Sequence, residues 1–376
     1  MTGGPQVLAG LLELLPFPEH HKWVFTQKES PLTRRARDLN CPVHLFPSLG
    51  GYTKSISRAS MTSRFLLLIF PFLWIRLACY IIRVLKREKP DIAWVRNSKT
   101  AFPLLPLFKI LKIPFIWDIG MEKPSRGIYK IVHHCVFKQC CAVVVEGRAV
   151  LPMVFTPSQI VRFRHKIQVI PSGIHPERVR EIEKAINRFS NPDPFTILNV
   201  GGICRRKNQG ALLQAVEPIL EKYPNLRVQL AGGIIDETYY AKLQRDHKKF
   251  IGEGRIVILG WREDIPELMG QADLLVHVAE NEGVPYTLLE AIHSRLPIVA
   301  VNSGGIADLI QDRVNGFIVT PDDRNALRDR IEECIGSCVV RDALAEKATE
   351  TVEKRYNLEN WISSYARLIE KLARAD

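Results

Sequence analysis

Short apolar or β-branched runs alternate with longer stretches of helical spacing along the chain. In the first half the runs fall at 22–26 (KWVFT), 42–46 (PVHLF), 91–95 (DIAWV), 114–119 (PFIWDI), 142–146 (AVVVE) and 167–171 (IQVIP). In the second they fall at 195–201 (FTILNVG), 227–232 (RVQLAG), 255–260 (RIVILG), 273–279 (DLLVHVA), 297–301 (PIVAV) and 316–319 (GFIV). Runs this short and apolar, bounded by turn formers, predict buried strands. Strand–helix alternation builds parallel sheets with helices on both faces, and two rounds of it predict an α/β protein of two doubly wound, Rossmann-like domains. The turn-forming run NRFSNPDPF at 187–195 marks the boundary. The expected domains are therefore 1–188 and 189–355, with a final helical stretch over 356–376.

A doubly wound domain normally opens with a strand, a Gly-rich turn and a helix. This chain opens at the turn, with Gly3 and Gly4 leading at once into a helical run. The first strand of the N-terminal domain is missing from the pattern, which predicts a start codon upstream of Met1 or a trimmed chain.

Charge separates the halves. Of the 52 Lys+Arg and 40 Asp+Glu, residues 1–190 carry 29 and 12, or +17, and the remainder carry 23 and 28, or −5. A basic first half predicts an anionic partner for that half. Nucleic acid is excluded as that partner, because the charge is spread over a domain without a recognition motif. The segment 64–89 (RFLLLIFPFLWIRLACYIIRVLKREK) is interrupted by Pro71 and Arg76, so it lacks a clean membrane span. It reads either as a basic amphipathic helix on an anionic membrane surface or as a buried crossover helix, and one helix can do both. The eight Cys have no framework spacing, which fits a reducing cytoplasm. The cluster HHCVFKQCC at 133–141 lacks the paired knuckles of a closed zinc site, and no metal site is expected. His133, His134, His277 and His293 read as core or surface residues.

Three segments place chemistry at strand ends, where open α/β sheets bind ligands. The first, NVGGICRRKNQGALLQAV at 199–216, puts turn amides and Arg205, Arg206 and Lys207 at a helix start, a phosphate-binding set. The second, ENEGVPYTLLEA at 280–291, runs from a strand through Glu280 and Glu282 into a helix. Thr287 is expected to cap that helix and Glu290 to lie in its first turn. The amides of Tyr286, Thr287 and Leu288 suit anionic oxygens, and the carboxylates of Glu282 and Glu290 suit sugar hydroxyls. Glu280 reads as a solvated loop residue. The third, NSGGIADLIQDRVNGFIV at 302–319, lets backbone approach closely at Gly304 and Gly305. Trp261 and Arg262 follow a strand end where a base could stack. Neither a dinucleotide fingerprint nor a P-loop is present.

The spacing Glu282-x7-Glu290 within EGVPYTLLEAIHSRLPIVAVNSGGIADLIQDRVNGFIV resembles the signature of the family 4 retaining glycosyltransferases of GT-B fold. VGGICRRKNQGALLQA, REKPDIAWVR and IQVIPSGI are similar to further segments of that family, so the resemblance covers nearly the whole chain. It implies an acceptor held by the first domain, a UDP- or GDP-sugar held by the second, and a terminal helix over 356–376 that crosses back to the first. By position, Lys207 would hold the donor diphosphate with Arg206 or Arg205 assisting. Glu290 would bind the ribose, and Glu282, beside Gly283, would contact the donor sugar near the reacting carbon. The family implies catalysis without a cofactor or metal, because cations and a helix end stabilise the departing diphosphate.

Two positions depart from the family pattern. Gly202 stands where Arg often follows the diphosphate-loop glycine. Gly120 stands near the usual place of a first-domain His, with Asp118 and Glu122 flanking it. The acceptor-side candidates are therefore Gly3, Gly4, Asp118 and Glu122. The expected function is a cytoplasmic transferase, peripheral on the inner face of the inner membrane, that moves a sugar onto a lipopolysaccharide, exopolysaccharide or lipid-linked glycan. The alternatives are a GT-B epimerase or hydrolase acting on the same donor, and a degenerate member that binds without catalysis.

Overall fold

The computed structural model describes residues 3–18, 22–26, 29–45, 78–119, 122, 124–186 and 193–373. Residues 64–77 of the proposed surface helix, Gly120, and 187–192 of the proposed boundary lie outside them. Within 78–88 the chain is helical, with Ala78, Ile81, Val84 and Leu85 buried at helical spacing. That face packs inward, as a crossover helix requires. Among the described residues no helix is long and apolar enough to cross a membrane.

All twelve expected strands form. Among the described residues of the first half, β1 (Val24–Thr26) pairs in parallel with β2 (Val43–Leu45). A second sheet runs β3 (Ala93–Arg96), β4 (Phe115–Asp118), β5 (Ala142–Val145) and β6 (Ile167–Val169) in order. Every residue of β4 and of β5 is buried, which explains their continuous apolar runs. The second-half strands are β7 (Thr196–Val200), β8 (Arg227–Ala231), β9 (Ile256–Gly260), β10 (Leu274–His277), β11 (Ile298–Val301) and β12 (Phe317–Val319). They form one parallel sheet in the order β12-β11-β10-β7-β8-β9. Its residues alternate between two cores: Leu274 and Val276 join one, and Leu275 joins the other with Leu198, Ile298 and Ala300.

The chain divides into two compact units, one of residues 1–144, 161–168 and 362–376, the other of 145–160 and 169–361. The division expected at 188/189 therefore differs from the one found. The helix Pro176–Ala185 belongs with the second unit because its apolar side, centred on the fully buried Ile182, packs on the helix Ile265–Gln271. The last helix, Leu358–Ala373, begins in the second unit and continues in the first, where Tyr365 stacks on Trp94 with ring centroids 4.6 Å apart.

Gly3 and Gly4 were expected in a turn, and they form the start of the helix Gly3–Leu14. Glycine is tolerated there because the first N–H groups of a helix need no intrahelical partner.

Candidate functional site

The six-stranded sheet reverses its order between β7 and β10, so a crevice opens beyond their carboxyl ends. Two side chains fix the register across it. Asn199 Nδ2 donates to the Val276 carbonyl at 2.8 Å, and the Thr196 N–H donates to Asp273 Oδ2 at 2.7 Å.

Beyond β7 the chain turns at Gly201 and Gly202 and forms a 3-10 turn at Arg205–Lys207. It passes through Asn208 in left-handed conformation (φ +50°) and enters the helix Gln209–Lys222. Buried Gln209 stitches this turn by donating Nε2 to the carbonyls of Gly201 (3.3 Å) and Gly202 (3.1 Å). Beyond β10, the Glu280 N–H donates to the Arg206 carbonyl at 2.8 Å, so the two loops are joined through backbone. Pro285 is the N-cap of the helix Tyr286–His293, and no side chain caps it. Thr287 is thus inside the helix rather than its cap, and Glu290 lies one turn in rather than in the first turn. The fixed extended conformation of Pro285 (φ −68°) sets the N-cap two residues before Thr287 and the first helical residue at Tyr286.

The loop beyond β11 supports the loop beyond β10. A Cβ on Gly304 would stand 1.9 Å from the Glu282 carbonyl oxygen, and one on Gly305 would stand 2.5 Å from that of Gly283. Gly304 also has φ +61°. The close approach expected of this Gly pair is therefore directed at the backbone carrying Glu282.

Charge converges on Glu282. Arg206 Nη1 and Lys207 Nζ each donate to its Oε1 at 2.7 Å. Burial alone would raise the carboxyl's pKa, but Lys207 and Arg206 outweigh it and hold the group below the usual range. His277, at the end of β10 and 1% exposed, is pushed down to about 4 by burial, with Lys207 and Arg206 adding to the shift. At neutral pH it is an uncharged imidazole beside the ion cluster. Arg205 points elsewhere: it is 73% exposed and 3.7 Å from Asp236. Glu280 Oε1 accepts from Asn208 at 3.4 Å, and both line a cavity of about 440 Å³ with Asn281, Ser303 and Gly304.

Glu290 is 6% exposed and pairs with Arg178, whose Nε donates to Oε1 at 2.7 Å. Burial raises the Glu290 carboxyl, and Arg178 opposes that. Tyr286 Oη accepts from the His175 N–H at 3.4 Å, and burial pushes its phenol up to about 12. Arg178, Asn208 and the placement of His277 escaped sequence reasoning. Arg178 lies 112 residues from its partner, and no local signal connects them. Trp261 is 62% exposed past β9 beside Gly233, whereas Arg262 is occupied by Asp264, Nε to Oδ1 at 2.7 Å.

In the first unit, Asp118 is buried 3.4 Å from Arg96. Burial raises its carboxyl against that cation. Glu122 accepts from Ser98 Oγ at 2.8 Å and from the Ser98 N–H, and it lies 3.6 Å from His133 Nε2. Its carboxylate thus satisfies the first turn of the helix Ser98–Leu111. These bonds give Glu122 a structural duty at that helix start.

Residues 180–351 match the family model "Glycosyl transferases group 1". An uncharacterized glycosyltransferase of Methanocaldococcus jannaschii is 21% identical over 62% of this chain and 61% of its own. The chain therefore spans less than two thirds of that relative. The lipopolysaccharide glucosyltransferase WaaG of Escherichia coli is 26% identical over 70% of this chain and 76% of its own. Among solved structures, HepE of Anabaena in complex with UDP superposes with a TM-score of 0.77 at 17% identity, covering 98% of this chain and 96% of that one. That likeness shows the fold: two Rossmann-like domains of GT-B type.

Proposed function

We propose that this chain is a group 1 glycosyltransferase and transfers a sugar from a UDP- or GDP-sugar to a lipopolysaccharide or other lipid-linked surface glycan, with retention of anomeric configuration. The observation that carries the reading is the convergence of Lys207 and Arg206 on Glu282 at the β7/β10 crevice, in the loop that leads into the helix Tyr286–His293, whose start no side chain caps. Two cations and a helix N-terminus at one strand-switch crevice suit a diphosphate.

In this reading Lys207 and Arg206 exchange Glu282 for the diphosphate when the donor enters, and the amides of Tyr286 and Thr287 add neutral donors, the Leu288 N–H being taken by the Pro285 carbonyl at 2.9 Å. Glu282, released from its cations, accepts from donor sugar hydroxyls. As the glycosidic bond breaks, charge grows on the leaving phosphate, and Lys207 stabilises it from a fixed position. Glu290 accepts from the ribose hydroxyls. The acceptor hydroxyl attacks the anomeric carbon from the face the diphosphate leaves. The sugar–phosphate C–O bond breaks as the new C–O bond forms, and the hydroxyl proton passes to the departing phosphate oxygen. No metal is needed, since the cationic side chains supply the countercharge. The basic first half supports an acceptor on an anionic membrane surface, and in this reading the work is done at the cytoplasmic face of the inner membrane.

Supplying UDP- and GDP-sugars with lipopolysaccharide and polyprenyl-linked acceptors tests the reading. NMR of the product should show the donor's anomeric configuration kept. Turnover in Lys207→Ala and Glu290→Ala should fall by about 10²-fold or more with folding intact, and full turnover in both would overturn the assignment.

A further inference from the structure

Arg178 takes one oxygen of Glu290, and among the described residues no donor is paired with the other, Oε2. Arg178 is itself held, its Nη1 donating to Glu181 Oε2 at 3.0 Å. It is carried by the helix Pro176–Ala185, anchored through Ile182, and it follows by three residues His175, whose N–H meets Tyr286 Oη. Tyr286 and Glu290 are four apart in their own helix and share a face. The segment 175–178 therefore grips the helix Tyr286–His293 at two successive turns. A solvated carboxylate would choose among rotamers, whereas this one is buried and has one oxygen committed.

We propose that Arg178 is a positioning residue for nucleotide recognition, orienting Glu290 so that its second oxygen accepts from the ribose of a nucleoside diphosphate. The inference rests on the donor reading above. A guanidinium suits the task because its fork serves Glu290 and Glu181 at once. An ionised acceptor makes the stronger hydrogen bond.

Calorimetric titration of the full chain with UDP, GDP and their 2′-deoxy counterparts tests it. The wild type should prefer the better ribonucleotide over its deoxy form by about tenfold, the worth of one charge-assisted hydrogen bond. In Arg178→Met the ratio should fall to near one, and affinity should fade at a higher pH as the unpartnered Glu290 takes up a proton. Arg178→Lys should restore the pH profile and part of the ratio. A purely structural tether would lower the folded fraction without moving the ratio, so an unchanged ratio in Arg178→Met overturns the proposal alone. A wild type that binds without discriminating also overturns it. A wild type that binds neither nucleotide overturns the donor reading and this inference together.

Discussion

Lys207 Nζ lies 2.7 Å from Glu282 Oε1, bridging the loops that leave β7 and β10. The sequence separates the two residues by 75 positions, and the reversal of strand order makes them neighbours. In the donor reading proposed above, a diphosphate brings more negative charge than Glu282 and so competes with it for both cations.

Replacing Lys207 with Ala should lower kcat about 10²- to 10³-fold, the usual effect of deleting one preorganised donor to a developing anion. Arg206→Ala should cost less, because its side chain is 36% exposed against 17% for Lys207. The stability loss in Lys207→Ala should stay near 1–2 kcal/mol, since Arg206 still partners Glu282. Steady-state kinetics and urea midpoints on both variants check this order.

His277 predicts an acid-labile fold. Its pKa is near 6.5 in the unfolded chain and about 4 in the folded one. Between those values the unfolded state binds more protons, so stability is complete above about 6.5 and falls as pH drops toward 4. The loss should reach about 3 kcal/mol by pH 4. Urea midpoints at pH 7 and pH 5 should differ less in His277→Leu than in the wild type. Equal differences would exonerate this histidine.

Gly304→Ala should damage the site from outside it. The added methyl meets the Glu282 carbonyl and forces a left-handed conformation on alanine, at a combined cost of about 2 kcal/mol or more. Because the obstructed atom belongs to Glu282, turnover should fall further than the folded fraction does. Circular dichroism and kinetics on the same sample separate the two losses.

Chelation should leave transfer unchanged. With Lys207 and Arg206 supplying the countercharge, excess EDTA should hold turnover within about twofold of the untreated enzyme, and added Mg²⁺ should not raise it beyond that. A collapse of turnover on chelation, restored by Mg²⁺, would refute the metal-independent reading.

The strands were legible because each is a short apolar run with few competing interpretations, as Leu274–His277 illustrates. Lys207, Arg206 and Glu282 were legible because charged residues at strand ends have few structural reasons to be there. Other features depended on tertiary context. Pro285 rather than Thr287 begins the helix of the second loop, a choice fixed by backbone conformation. The bonds of Glu122 to Ser98 at the start of a neighbouring helix left no trace in the sequence. Arg178 resembled any solvated helix cation until folding set Glu290 against it.

The stacking of Tyr365 on Trp94 has a practical consequence for dissecting this polypeptide. The N-terminal unit is not one continuous stretch of gene, so excising residues 1–188 would strip Trp94 of its aromatic lid. The same cut would retain the helix Pro176–Ala185, whose Ile182 would be left facing water. A soluble N-terminal fragment therefore calls for a circularly rearranged gene that keeps the carboxyl-terminal turns and discards that helix.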